Sequence, residues 1–200
     1  MPALLEHHPG AAGADEAGRG PLAGPVVAAA VILPDIFDAA GIRDSKKLTA
    51  KARERMEIRI KTEAIWAVQA VWVEEIDTIN ILHASLAAME RAIKRLSRMP
   101  IYVLIDGNKL PKNLPCEGRA VVKGDDKVAC IAAASILAKV ERDRIMTLLS
   151  AEYPVYGFER HFGYATPEHL RALDEHGPCA IHRRSFMPVK GGLQLDLFAE

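Results

Sequence analysis

Apolar and polar positions along the chain follow patterns typical of strands in some segments and of helices in others. Two β-prone stretches lie within residues 11–33, separated by AGRGPLAGP at residues 17–25, whose three glycines and two prolines cannot continue a helix. We predict a hairpin of two antiparallel strands there. Thr49 is placed to cap a helix that reaches Glu63, in which apolar and charged residues are interspersed.

The rest of the chain continues as alternating strands and helices. Residues 65–73 (IWAVQAVWV) are rich in β-branched and aromatic residues, which predicts a strand, and apolar residues recur at helical spacing from Ile81 to Leu96. Short apolar runs at residues 101–105 and 119–122 predict two more strands, followed by a long helix over residues 128–150 and a short one near residues 167–175. We therefore expect an α/β fold, a mixed sheet flanked by helices, with the later strands parallel.

Composition narrows the class of protein. With 200 residues, half of them apolar, the chain can form one compact domain; we assign residues 1–190 to it and residues 191–200, which begin with a Gly-Gly pair, to a flexible tail. The formal net charge of zero excludes a globally basic coat protein, so any nucleic-acid contact must use a local patch. Without a bilayer-length apolar run or a leader pattern, we expect a cytoplasmic protein with reduced cysteines.

Acidic residues at strand ends suggest a site for divalent cations. Asp106 ends an apolar strand, where α/β sheets place ligand sites, although an aspartate there is also an ordinary turn residue. Asp15 and Glu16 are adjacent in the first predicted strand, and burying carboxylates is costly unless a cation compensates them. Neighbouring strand residues point to opposite faces, so we expect a local departure from the pleat, which the nearby glycines permit.

Two further acids, Asp125 and Asp126, precede the long predicted helix. We expect at least one of them to cap that helix, and spacing alone does not decide which of the two is catalytic. Hard ions such as Mg²⁺ or Mn²⁺ prefer carboxylate oxygens, and two of them about 4 Å apart can activate a water and stabilise a leaving alkoxide. The acids together therefore indicate a metal-dependent phosphodiesterase chemistry.

Seven blocks of the chain, in order, resemble the ribonuclease HII family, the type 2 bacterial ribonucleases H. They are DEAGRGPLAGPVVAAAVIL from Asp15, DSKKLT from Asp44, LIDGN from Leu104, VKGD from Val122, IAAASILAKVERD from Ile131, YGFERHFGY from Tyr156 and HRRSF from His182. The resemblance implies a ribonuclease H-like mixed sheet with a C-terminal helical extension. It also implies four catalytic, metal-binding carboxylates, Asp15, Glu16, Asp106 and Asp125, the last because the family's acid directly follows the Lys-Gly pair.

The resemblance further implies an activity and a substrate. Ribonucleases HII are endonucleases that hydrolyse the RNA strand of RNA–DNA hybrids and cut 5′ of single ribonucleotides in duplex DNA, using Mg²⁺ or Mn²⁺ and leaving 3′-hydroxyl and 5′-phosphate ends. Gly18, Arg19 and Gly20 are implied to recognise the ribonucleotide–deoxyribonucleotide junction together with Tyr164. Glycine amides can donate to a 2′-OH, and a tyrosine ring can stack on the next deoxyribose, although an isolated tyrosine is more often a core residue.

Arginine at position 19 and the short segment before Asp15 also separate the chain from a related type, ribonuclease HIII. That type carries an additional N-terminal domain and usually a lysine in its glycine motif. Basic residues that could contact phosphates without reading sequence are Lys46, Lys47, Arg183 and Arg184, with a solvated basic face as the alternative. Because hard Mg²⁺ disfavours imidazole, no metal role is assigned to His161, His169 or His182.

The tail contains a short motif of its own. Gln194, Leu195, Leu197 and Phe198 resemble the QLxLF peptide by which many bacterial replication and repair proteins bind the sliding clamp. A flexible hinge, one polar anchor and apolar residues at a terminus suit insertion into a hydrophobic groove, and the alternative is a tail that folds back onto its own domain. We expect the catalytic domain itself to be monomeric.

Two other hypotheses use the same residues. A Holliday-junction resolvase would share the fold and the metals, but the GRG block and Tyr164 argue against it. A non-catalytic hybrid-binding or clamp-bound adaptor would be expected to have lost one or more acids, and all four are present. A nuclease that acts on RNA–DNA hybrids and ribonucleotide-containing duplex DNA is therefore the leading hypothesis.

Overall fold

A mixed five-stranded sheet forms the centre of the molecule in the computed structural model, which describes residues 5–39, 41–42 and 49–191. Its strands are β1 (Ala12–Ala17), β2 (Val26–Ile32), β3 (Ile65–Val71), β4 (Val103–Asp106) and β5 (Gly118–Val121). They lie in the order β3-β2-β1-β4-β5; β2 is antiparallel to β1 and β3, whereas β4 is parallel to β1 and β5. The predicted antiparallel hairpin is confirmed, and so is parallel pairing for β4 and β5, whereas the prediction of parallel pairing is wrong for β3.

Helices flank both faces of this sheet. In the described part of the chain they are α1 (Ala50–Glu63), α2 (Val73–Lys94), α3 (Ala129–Glu152), α4 (Phe158–His161) and α5 (Pro167–His176). Thr49 caps α1 as predicted, since its side chain accepts a hydrogen bond from the Ala52 amide. The single turn of α4 has no counterpart in the sequence prediction. No helix among the described residues has the length and apolar character that a membrane crossing requires.

The core lies in two layers, one on each side of the sheet. The alanine-rich α3 packs against one face, where Ala29, Val31 and Leu104 are buried, and α2 packs against the other, where Ala30 and Ile105 are buried. Because side chains alternate along a strand, Asp15 points toward α3, in agreement with its hydrogen bond to Ser135 of that helix. The first predicted acid therefore lies between the sheet and its longest helix.

Two helix starts differ from the sequence prediction. The helix predicted from Ile81 begins eight residues earlier, at Val73, but it is interrupted at Asn80, whose φ of 66° and ψ of 163° are not helical. The Asn80 side chain accepts from the Leu82 and His83 amides at 3.0 and 3.2 Å, so it caps the second half, which is the part that the apolar spacing revealed.

The predicted acidic cap of the long helix is wrong. Val128 occupies the N-cap position of α3, and no side chain caps this helix. Asp125 and Asp126 lie instead in a separate 3₁₀ turn, Gly124–Asp126, whose N-cap residue Lys123 is left-handed with φ of 55°. The turn and the following Lys127 separate both acids from the first turn of α3.

Candidate active site

Asp15 and Asp106 lie side by side where the parallel strands β1 and β4 stop pairing with each other. The last residues that these two strands pair are Ala14 and Ile105, and the two aspartates are the next residue of each strand. In this register both aspartates belong to the sheet face that α3 covers. The strand ends thus bring together two acids that are 91 positions apart in the numbering.

The Asp15 carboxylate is buried among other negative charges. It is only 5 % exposed, and its Oδ1 accepts a hydrogen bond from the Glu16 amide at 2.7 Å. Burial raises the pKa of Asp15 well above its ordinary value, and the nearby charges of Glu16 and Asp106 raise it further. The pKa of Glu16 is also raised by burial, which Arg19 opposes from 3.4 Å and Asp106 reinforces. These three carboxylates therefore destabilise one another in a way that a bound cation would relieve.

Glu16 reaches this cluster without a bulge in its strand. β1 keeps regular pairing with β2 as far as Ala17 and Val27, so the departure from the pleat that we expected within the strand is absent. Beyond Ala14, however, β1 has no partner on its β4 side. Glu16 lies in this open end and lines a cavity of about 280 Å³ together with Ser135 of α3.

Asp125, the fourth acid, is positioned near Asp106 by a hydrogen bond of the preceding residue, Gly124. The Gly124 amide donates a hydrogen bond to Oδ1 of Asp106 at 2.6 Å, which places the 3₁₀ turn at the end of β4. Asp125, the next residue, is 8 % exposed, whereas Asp126 is exposed to solvent. Burial beside Asp106 thus distinguishes the two acids that spacing could not.

The donor set fits a hard divalent cation by its chemistry, since it consists of carboxylate oxygens with mutually repelling charges. Among the residues that the structure describes, no group of three or more His, Cys, Asp or Glu side chains already has the spacing of a metal site.

A loop at residues 18–25, here called the glycine loop, forms one side of the cavity. Gly18, at its start, has φ of 98°, and a Cβ there would lie 2.0 Å from Nε of Arg142. The Leu22 amide donates to the Gly163 carbonyl, and the Gly24 amide donates to the Ile181 carbonyl, both at 2.8 Å. These two hydrogen bonds therefore connect the glycine loop to two separate segments in the C-terminal part of the chain.

Arg183 is a correction to the sequence prediction. We expected it to contact phosphate, but its side chain is completely buried. Its guanidinium donates to the main-chain carbonyls of Gly18, Arg19 and Gly24 at 2.6 to 3.0 Å. Direct contact with a phosphate is therefore excluded in this conformation, and the residue supports the glycine loop from below. Arg184 is exposed and stays a candidate for phosphate binding.

Tyr164 forms part of the cavity wall. Its side chain is 44 % exposed and lines the same cavity as Glu16 and Gly18, so it is not a core tyrosine. The space beside its ring is occupied by the glycine loop, because a Cβ on Gly20 would lie 3.7 Å from Cε1 of Tyr164. The structure thus brings together the two elements that the resemblance assigned to the ribonucleotide–deoxyribonucleotide junction.

Buried histidines hold the backbone of Tyr164. The Tyr164 carbonyl accepts from Nδ1 of His169 at 2.8 Å, and Nε2 of His169 lies 3.0 Å from Nε2 of His182. Because the Cys179 amide donates to Nδ1 of His182, Nε2 of His182 must carry the proton that it shares with His169. His161 stacks on His169 with ring centroids 4.6 Å apart. These three neutral rings, here called the histidine cluster, lie next to the Tyr164 segment of the cavity wall.

Several cavity residues were missed at the sequence level. Arg53 of α1 and Ser135 and Lys139 of α3 also line the cavity, and Arg142 lies beneath it. The signal was present in the sequence, because Ser135, Lys139 and Arg142 are polar residues at positions i, i+4 and i+7 of the long predicted helix. Such spacing places all three on one side of α3, the side that faces the site.

Some predicted residues cannot be assigned a position. Lys46 and Lys47 lie outside the described residues, as do the predicted clamp-binding residues Gln194, Leu195, Leu197 and Phe198. The division of the chain into a domain and a tail at residue 191 stays a prediction.

A mixed sheet with buried acids at the ends of parallel strands defines a ribonuclease H-like, metal-dependent nuclease. Two solved structures share the fold. Ribonuclease H2 from Pyrococcus horikoshii OT3 matches with a TM-score of 0.77 and 27% identity, over 90% of this chain and 95% of that one. Ribonuclease HII from Archaeoglobus fulgidus, solved in complex with PCNA, matches with a TM-score of 0.73 and 28% identity, over 94% of this chain and 98% of that one.

Sequence comparison identifies the family. The Ribonuclease HII family matches residues 12–189. Ribonuclease HII of Marinomonas sp. (strain MWYL1) is 57% identical over 180 residues, which cover 90% of each chain. This chain belongs to the ribonuclease HII family, and it is a metal-dependent endoribonuclease with ribonuclease H activity on RNA–DNA hybrids.

Proposed function

We propose that this enzyme also cuts duplex DNA on the 5′ side of a single embedded ribonucleotide. The observation that carries this proposal is the shared cavity: Glu16, Gly18 and Tyr164 line the same space. The carboxylate cluster and the elements that would sense a 2′-OH are thus in reach of one nucleotide. A nuclease for uniform hybrids alone would not need a ribose sensor next to a sensor for the following deoxyribose.

Each side chain of the cavity has a role in this proposal. The glycine loop presents Arg19 and Gly20 amides to the ribose 2′-OH, and the exposed ring of Tyr164 stacks on the next deoxyribose, where a further 2′-OH would be crowded. Arg53 and Lys139, which line the same cavity, approach the phosphates on either side. We assign further phosphate contacts to Arg184 and to the two lysines of the DSKKLT block, Lys46 and Lys47.

We propose that Asp15, Glu16, Asp106 and Asp125 hold two Mg²⁺ or Mn²⁺ ions. The support is their oxygen chemistry and the repulsion that raises the pKa of both Asp15 and Glu16. The chemistry that such ions supply when bound is activation of the attacking water and stabilisation of the leaving 3′-oxygen, which gives 3′-hydroxyl and 5′-phosphate ends. Ser135 and the Gly124 amide hold the carboxylates of Asp15 and Asp106 in orientation.

We further propose that the tail directs the enzyme to replicated DNA. Its QLDLF segment, residues 194–198, fits the clamp groove, and the Archaeoglobus relative was solved as a complex with PCNA. Removal of misincorporated ribonucleotides after replication, by a monomeric enzyme in the cytoplasm, is the setting that this combination suits. A variant ending at Lys190 that binds the clamp as tightly as the full chain would eliminate the tail hypothesis.

The experiment compares three labelled substrates: a DNA duplex with one ribonucleotide, the same duplex without it, and a uniform RNA–DNA hybrid. With Mg²⁺ or Mn²⁺ we expect cleavage of the first and third but not the second, and no cleavage in chelator. Asp106→Asn should reduce cleavage by at least about 100-fold, because it removes one carboxylate charge from the cluster. Cleavage of the hybrid but not of the single-ribonucleotide duplex would refute the proposal and leave the family activity intact.

A further inference from the structure

We propose that Arg142 and Arg183 are positioning residues that aim the ribose-sensing amides of the glycine loop and fix their distance from Tyr164. Neither residue contacts the cavity; both act through the loop. The inference rests on the proposed recognition of a single ribonucleotide, and it explains how an irregular loop acquires a fixed geometry.

Arg183 determines which way two peptide groups face. Its guanidinium donates to the Gly18 carbonyl at 2.6 Å and to the Arg19 carbonyl at 3.0 Å. A trans peptide is planar, with the carbonyl of one residue and the amide of the next pointing in opposite directions. Two carbonyls held toward Arg183 therefore turn the amides of Arg19 and Gly20 away from it. These are the amides that our proposed function assigns to the 2′-OH.

Arg142 joins the loop to the segment that carries Tyr164. Its Nε and Nη2 donate to the carbonyls of Pro25 and Ala23 at 3.0 and 3.1 Å, while its Nη1 donates to the Phe162 carbonyl at 3.0 Å. The centre of its guanidinium lies 5.9 Å from the centroid of the Tyr164 ring. One rigid, planar group thus joins the glycine loop to the segment that carries Tyr164 and sets the spacing between them.

Burial of these two cations has a cost that their contacts must offset. Both side chains are almost completely buried, and their donors contact main-chain carbonyls rather than a carboxylate. Burial lowers the pKa of Arg142 to about 10 and that of Arg183 to about 9. Such groups are uncommon in a core unless their hydrogen bonds specify a geometry, and here every bond ends on the glycine loop or on its neighbour Phe162.

The test replaces each arginine by lysine, which keeps the charge but places its donors on one nitrogen, so it cannot span the carbonyls that the planar guanidinium joins. Full-length wild type, Arg142→Lys and Arg183→Lys are compared in chelator, where no cleavage occurs. Affinity is measured for a DNA duplex with one ribonucleotide and for the same duplex without it. Arg144→Lys is the matched control, because Arg144 lies on the same helix but donates to Glu57 rather than to the loop.

Wild type should bind the ribonucleotide duplex more tightly than the all-DNA duplex. We expect this preference to fall about tenfold in Arg142→Lys and in Arg183→Lys, the effect of misplacing one good hydrogen bond. Affinity for the all-DNA duplex and the preference of Arg144→Lys should stay within about twofold of wild type. A merely structural role would weaken binding to both duplexes equally and would leave the preference unchanged.

Folded lysine variants that keep the wild-type preference would overturn the inference. If one variant does not fold, as judged by circular dichroism, the other tests the same claim from a different element of the fold. A wild-type protein with no preference would instead refute the proposed ribonucleotide recognition itself, and the inference would fail with it. The two failures are therefore distinguishable by the behaviour of wild type.

Discussion

The Gly124 amide donates a 2.6 Å hydrogen bond to Oδ1 of Asp106, and this contact joins the last residue of β4 to the 3₁₀ turn that carries Asp125. The two segments are separated in sequence by β5 and its flanking loops. The hydrogen bond therefore does what neither segment could do alone: it places a second buried acid beside the end of the central strands. This contact and the burial of Asp125 support its choice as the fourth acid, which the family resemblance had implied.

The pair Asp125→Asn and Asp126→Asn tests this assignment. We expect Asp125→Asn to reduce cleavage by about 100-fold or more and to raise the Mg²⁺ concentration needed for half-maximal rate, because a buried cation-binding charge is removed. Asp126→Asn, at an exposed position of the same turn, should stay within about twofold of wild type. Equal losses in the two variants would show that burial beside Asp106 does not identify the fourth acid.

Two glycines of the loop should respond differently to alanine. Gly18→Ala places a Cβ 2.0 Å from Arg142 at a φ of 98°, so we expect a loss of about 3 kcal/mol or more in the free energy of unfolding. Gly20→Ala places its Cβ 3.7 Å from the Tyr164 ring, an ordinary contact, and stability should change by less than about 0.5 kcal/mol.

Gly20→Ala should lose cleavage activity although its stability is unchanged. The added methyl of Gly20→Ala reduces the space beside Tyr164, so cleavage at a single ribonucleotide should fall about tenfold in a fully stable protein. Urea unfolding and a cleavage assay on one preparation measure both effects. A destabilised Gly20→Ala protein, or a stable one with wild-type cleavage, would contradict the assignment of Gly20 to substrate recognition.

Asp15→Asn should stabilise the protein while inactivating it. Burial and the charges of Glu16 and Asp106 raise the pKa of Asp15, so its charged form opposes folding at alkaline pH when no cation is bound. In chelator at pH 8 we expect a gain of about 1 kcal/mol in the free energy of unfolding. Asp143→Asn, which breaks an ion pair with Lys139, is the control and should bring no gain.

The histidine cluster, which consists of His161, His169 and His182, predicts that the protein loses stability in mild acid. Burial lowers the pKa of His182 from 6.5 to about 4, so between these pH values the unfolded chain binds protons that the folded chain does not. The free energy of unfolding should therefore fall as pH decreases, by about 2 kcal/mol from pH 7 to pH 5 for this residue. Protonation of His182 would also set an N–H against the Cys179 amide, which now donates to it.

The comparison of variants isolates this effect from other titrating groups. His182→Gln should show a weaker pH dependence of urea unfolding than wild type, whereas replacement of the exposed His83 by glutamine should not alter it. An unchanged pH dependence in His182→Gln would mean that His182 is not buried in its neutral form.

The sequence was sufficient to predict the acids at the strand ends. Asp106 ends an apolar run and Asp15 lies in the first predicted strand, and once the two strands are parallel neighbours in this register the two acids lie side by side. Thr49 and the glycine-rich turn were predictable for the same reason, since a cap and a turn depend on residues close in sequence.

The roles of the arginines could not be predicted, because they depend on distant contacts. Arg183 lies in a basic run that is typical of a solvated surface, yet its partners are carbonyls more than 150 positions earlier in the chain. Likewise, Val128 occupies the N-cap position of α3, because Asp125 and Asp126 lie in the 3₁₀ turn that is hydrogen-bonded to the end of β4. Local propensity does not contain such tertiary hydrogen bonds.

The chemistry of the product ends tests the central claim most directly. A duplex with one ribonucleotide is cleaved by the wild-type enzyme in Mg²⁺, and both fragments are identified by mass spectrometry. A water held at the carboxylate cluster predicts a cut 5′ of the ribonucleotide, with a 3′-hydroxyl on the DNA fragment and a 5′-phosphate on the ribonucleotide. A cut 3′ of the ribonucleotide that leaves a 2′,3′-cyclic phosphate would mean that the ribose 2′-OH is the nucleophile, and would contradict the account.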